Sequence, residues 1–154
     1  MTEVEKIISL FEKLYNGEPW IDVNIKSILE NITAKQADSK PFPNCNSIWE
    51  IVNHLIEWRT NVLQRLQGVV IVTPGNNYFE PIEDKSNQAW KDILKKFEDS
   101  QTQWIVFLKQ FNPESFDSRY PSNKMTYYEH IQGILQHDSY HLGQIVLLIK
   151  VLEI

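Results

Sequence analysis

His137-Asp-Ser-Tyr-His141 sets two imidazoles four residues apart. In a helix that spacing puts them about 40° apart around the axis and about 6 Å apart along it. They then point to the same side and can share one divalent ion, for which neutral imidazole is a good ligand, zinc and nickel foremost. Ile131, Ile134, Leu135, Leu142, Ile145, Val146 and Ile149 surround the pair at helical spacing. The histidines are therefore expected on or beside a core-facing stripe, where imidazole is not a default filler. A third ligand must come from another segment. His54 leads the candidates because it lies midway along a second apolar-faced helix, three residues after Ile51. Three imidazoles leave one position for water or substrate, and such an ion brings the pKa of a bound water or thiol toward neutrality. The competing reading is three core histidines, each with a hydrogen-bond partner for its N–H.

The residues around the three histidines extend the expectation. Asp138 faces inward and needs a partner. It either orients a ligand imidazole from behind or bonds a Trp or Tyr of another helix. Gln144, three residues after His141, is placed to line the pocket. Glu57, three residues after His54, is a possible supporting base. His130 shares the stripe but stands about 10 Å along the axis from His137, so it is expected at the rim and outside the ligand set. Tyr140 turns away from the pair and is expected to pack. Cys45 has no basic neighbour to activate it as a nucleophile. Arg59, Arg65 and Arg119 are scattered in the sequence and form no visible anion cluster, and the five tryptophans fit core packing.

Four helical arms have to position these groups. Val4, Ile7, Ile8, Phe11 and Leu14 open the first, Asn16-Gly-Glu-Pro19 breaks it, and Ile21 to Ile32 resumes its period. Thr33 to Asn46, with two prolines, reads as a loop. Ser47-Ile-Trp-Glu50 is a capping box that starts the second arm, and Gly68 stops it. Gly68 to Lys85 is a long connection, and Val69-Val-Ile-Val72 is its one strand-like run. Connections of this length are often functional, so Tyr78 and Phe79 are expected to cover a pocket. Trp90 to Phe111 forms the third arm. A second capping box, Thr126-Tyr-Tyr-Glu129, opens the last. The sum is one all-α domain over residues 1–154, an up-down-type four-helix bundle.

Bulk properties narrow the function classes. The 154 residues carry a formal charge of −5, which gives no basic field for nucleic acid. No apolar run approaches membrane-spanning length, and Glu3 and Glu5 stand where a secretory signal would be basic. A single cysteine fits a reducing cytoplasm.

Ser47-Ile-Trp-Glu-Ile-Val-Asn-His54-Leu-Ile-Glu-Trp58, Arg65-Leu-Gln-Gly68 and His137-Asp-Ser-Tyr-His141-Leu-Gly-Gln-Ile145 together resemble the DinB-like superfamily. Gly17-Glu-Pro-Trp20 resembles an N-terminal feature of one of its branches. The resemblance implies a four-helix bundle with a divalent metal on His54, His137 and His141, and a homodimer. It further implies a small-molecule substrate and transfer of a low-molecular-weight thiol, such as bacillithiol or mycothiol, to an electrophile. Metal-dependent hydrolysis, or a metal-binding stress-response or interaction module without turnover, are the alternatives.

Overall fold

The computed structural model describes residues 1–154. Its helices are α1 (Glu3–Asn16), α2 (Ile25–Leu29), α3 (Ala34–Asp38), α4 (Ile48–Leu66), α5 (Asn87–Gln110) and α6 (Tyr127–Leu152), with a 3₁₀ turn at Pro113–Ser115. Both expected capping boxes form: Ser47 with Glu50 starts α4, and Thr126 with Glu129 starts α6. Gly68 ends α4 at φ +86°, a left-handed conformation that disfavours any side chain. Gly17 ends α1 for a different reason. Its φ is −106°, but a Cβ there would lie 2.9 Å from the Lys13 Cα.

Two stretches differ from the sequence expectation. The segment read as a loop, Thr33 to Asn46, contains α3, started by a third internal capping box between Thr33 and Gln36. Val69-Val-Ile-Val72 forms no strand, and Val72 is 89% exposed, because no neighbouring edge offers it a ladder.

The long helices form the bundle, and α2 and α3 bridge its first two arms. Around the bundle the order is α1, α5, α4, α6, since α4 and α1 each pack against both α5 and α6. Consecutive arms α1 and α4 thus stand diagonally, where a simple up-down bundle would make them neighbours. The core is one contiguous apolar cluster that includes Phe11 stacked on Trp104 at 5.1 Å and Trp49 against Trp90 at 5.1 Å. Each fully buried side chain of this size contributes about 1.5–3 kcal/mol. Trp49, Trp90 and Trp104 are core residues as expected, but Trp20 is 98% exposed and Trp58 is only half-buried. Pairing α4 with α6 brings the middle of one helix against the middle of the other. That contact places the histidines.

Candidate metal centre

His54 from α4 meets His137 and His141 from α6, and one ring nitrogen of each lies within 4.8 Å of the others. The Nε2 atoms of His54 and His137 are 3.0 Å apart. Two further hydrogen bonds set the roles of the nitrogens. His54 Nδ1–H donates to the Asn77 carbonyl at 2.7 Å, and His141 Nδ1–H donates to Gln144 Oε1 at 2.7 Å. Each bond leaves an Nε2 lone pair, so the cluster turns electron pairs toward one another in a largely buried space. A cation between them resolves that arrangement, and three imidazole nitrogens are a donor set suited to a divalent transition ion. His137 Nδ1 is buried without a partner.

Burial keeps these rings neutral. His54 is held down at about 4, chiefly by desolvation, with a smaller push from His141 and against the pull of the Asn77 carbonyl. Desolvation, then His141 and His54, hold His137 at about 3. His141 is lowered by the same desolvation, and Gln144 opposes it. Neutral imidazole is the ligand form, so metal meets no competing proton near pH 7.

The connection after α4 closes over the site. Asn77 and Tyr78 both adopt left-handed backbone, at φ 53° and 62°, a conformation that costs of the order of 1 kcal/mol or more per non-glycine residue. The turn is held from several directions. Trp58 Nε1–H donates to Asn77 Oδ1 at 3.0 Å, and Asn61 Nδ2–H donates to the Tyr78 hydroxyl at 2.6 Å. It delivers the Asn77 carbonyl to His54 and lays the Phe79 ring flat on the His54 ring, 4.0 Å between centroids and 8° between planes. Phe79 covers the site, as its position in a long connection suggested, while Tyr78 packs its ring against Trp58, 5.7 Å between centroids, and holds the turn.

Several surrounding residues stand elsewhere than expected. Asp138 is fully buried, but its partner is neither a ligand imidazole nor a Trp or Tyr. Arg59 Nε donates to Asp138 Oδ2 at 2.9 Å and Nη2 lies 2.7 Å from the same oxygen. Arg59 Nη1 bonds Gln101 Oε1 at 2.9 Å. Desolvation raises the Asp138 carboxyl above its usual range, and the adjacent guanidinium opposes it. Glu57 faces away from the histidines toward Lys96, 3.4 Å away, because its α4 position lies on the solvent side. Gln144 does reach the site, as the acceptor for His141. His130 is outside the cluster, but at 5% exposure it is buried and not at the rim. Its Nδ1–H bonds the Thr126 carbonyl at 3.0 Å, and its Nε2 faces Asn123 at 3.3 Å. Tyr140 does not pack in the core. It is 64% exposed, with its ring 4.9 Å from that of His141. Cys45 is a free thiol that donates to the Phe42 carbonyl at 3.1 Å. Sequence reasoning missed Asn77, because a backbone carbonyl leaves no residue-type signature, although the Asn76-Asn77 pair marks a left-handed turn.

Comparison with known families gives a match to the DinB superfamily model over residues 24–145, a span that contains all three histidines. The chain belongs to the DinB superfamily. Among solved structures it is similar to YfiT from Bacillus subtilis, described as a probable metal-dependent hydrolase with an unusual four-helix bundle topology. The TM-score is 0.68 at 17% identity, with 99% of this chain and 90% of that chain covered. That likeness establishes the shared four-helix bundle. A search of curated proteins gives no match. No helix is long and apolar enough to cross a membrane.

Proposed function

We propose that this DinB protein is a metal-dependent enzyme in which His54, His137 and His141 hold one divalent ion, zinc or nickel, beside a small-molecule site. The observation that carries the reading is the convergence of three neutral imidazoles, two of them aimed by hydrogen bonds at Nδ1. When bound, the ion supplies Lewis-acid activation, lowering the pKa of a small nucleophile next to it. The chain's own residues do the rest. Asn77 and Gln144 fix the ring planes of His54 and His141, Phe79 shields the His54 face from water, and the apolar surroundings keep the rings unprotonated.

The nucleophile in this reading is a low-molecular-weight thiol, transferred to an electrophilic substrate, in line with the family resemblance. Hydrolysis is the second reading, favoured by the fold shared with YfiT. The protein is further proposed to be a cytoplasmic homodimer, which sedimentation and fractionation test.

Metal analysis of protein purified without a histidine tag tests the site. About one equivalent of zinc or nickel after loading is the expected result. Less than about a tenth of an equivalent removes the proposal. Turnover of electrophiles that requires added thiol supports transfer, and turnover in buffer alone supports hydrolysis.

A further inference from the structure

Against the His137 side of the cluster lies a cavity of about 370 Å³ whose wall includes Trp58, Arg65, Asn123, His130 and His137. Arg65 is 8% exposed, yet its charge has no counter-ion in the protein, whose ion pairs all involve other residues. Its Nη2–H donates to Thr73 Oγ1 at 3.1 Å, and its Nε has no partner. The guanidinium lies 5.5 Å from the Trp58 ring centroid and 5.1 Å from that of Tyr120. The ring faces fix its plane and offset part of its charge, but most of its five donors have no protein acceptor. A planar donor fork held in this way matches a carboxylate.

The neighbouring groups are oriented to the same end. His130 Nδ1–H is committed to the Thr126 carbonyl, so its Nε2 accepts from Asn123 Nδ2 at 3.3 Å. The Met125 N–H holds Asn123 Oδ1 at 3.1 Å. One Asn123 N–H is left over. Glu129 also borders the cavity, but its Oε2 is tied to the Thr126 N–H and hydroxyl at 2.6 and 2.9 Å. Trp58 is the common wall, under Arg65 and 5.9 Å from the His137 ring.

We infer that this cavity receives a carboxylate on the small molecule whose other end reaches the three histidines, with Arg65 as its charged partner and Asn123 as a second donor. The inference rests on the proposed metal site only for the placement of that other end. It makes Arg65 a specificity-determining residue.

The test compares 3-mercaptopropionate with 3-mercapto-1-propanol by calorimetry on zinc-loaded protein, with zinc content measured in parallel. The wild type is expected to bind the carboxylate roughly tenfold or more tightly than the alcohol, the value of one charged hydrogen-bonded pair. Arg65→Met should retain its zinc and lose that preference to within about twofold, and Arg65→Lys should recover part of it. Equal binding of both thiols by the wild type, or an unchanged preference in Arg65→Met, overturns the inference while leaving the metal site intact. If Arg65→Met does not fold, the wild-type comparison and Arg65→Lys decide. If the protein takes up no zinc, the metal reading falls separately. Tryptophan fluorescence, with Trp58→Phe as the control that isolates the cavity's signal, then reports glutarate against glutaramide. A response to glutarate alone that Trp58→Phe removes supports the carboxylate site, and equal or absent responses overturn it.

Discussion

His54 and Arg59 lie on the same helix, and His137 and Asp138 are consecutive on the helix opposite, yet the two pairs meet in opposite ways. Arg59 and Asp138 bring a donor fork to an acceptor, and Gln101 takes a further donor, so opposite charges neutralise each other inside the bundle. His54 and His141, each donating through Nδ1, turn Nε2 lone pairs into one space, and His137 Nε2 lies 3.0 Å from that of His54. Both clusters lie between α4 and α6; Arg59 and Asp138 are fully buried, while His137 is only half-buried. The first has its charges paired within the chain, although Asp138 Oδ1 keeps no hydrogen-bond partner, and it serves the fold. The second gathers three imidazole nitrogens with no opposite charge beside them, the donor set that the proposed divalent ion would use.

The largest effect should come from opening the closed pair. Asp138→Ala leaves the Arg59 charge buried and uncompensated, and urea unfolding should show a loss of about 3–5 kcal/mol. The double variant Arg59→Met with Asp138→Leu should recover most of that loss. The histidine cluster should respond in the reverse sense. His141→Ala should lower metal content from about one equivalent to less than a tenth, while metal-free stability changes by no more than about 1 kcal/mol, because no paired charge is broken. A stability loss as large as that of Asp138→Ala would erase the distinction between the clusters.

Gln144→Ala should weaken metal affinity by about 10–100-fold through loss of ring orientation, read by competition with a chelator, while full loading survives at excess metal.

The next effect concerns pH. His54 and His137 are held at about 4 and about 3, below 6.5, so the unfolded chain binds protons first as acid is added. Stability of the metal-free protein should therefore be fully present above about pH 6.5 and fall as pH drops toward 4 and then 3. Urea midpoints at pH 7.5 and 4.5 measure it, and His54→Phe with His137→Leu should flatten the curve. A wild-type profile without that decline contradicts the neutral-histidine account. The smallest effect is Glu57→Gln. Its exposed contact with Lys96 predicts a change within about 0.5 kcal/mol and unaltered metal content.

The sequence exposed what is local and periodic. Ser47 with Glu50 and Thr126 with Glu129 located two helix starts, and the spacing of His137 and His141 placed two donors on one face. His54 followed because its helix had an apolar face. What stayed hidden depends on partners distant in the chain or on backbone alone. Asp138 read as a support for the histidines or a partner for a Trp or Tyr because its true partner, Arg59, is 79 positions away and reaches it only once α4 and α6 pack. Glu57 sits three residues from His54, but the packing of α4 leaves it at the solvent edge of the helix beside Lys96. The Thr33–Gln36 capping box was present in the sequence, yet α3 is so short that the prolines after it masked the signal. Asn77 acts through its carbonyl, and Arg65 looked isolated until the connection after α4 folded back over it.

The most direct test of the central claim is anomalous scattering from crystals of the zinc-loaded protein, recorded on both sides of the metal absorption edge. The account predicts one strong peak bounded by the Nε2 atoms of His54, His137 and His141. A fully loaded crystal without that peak, or with its metal elsewhere, contradicts it.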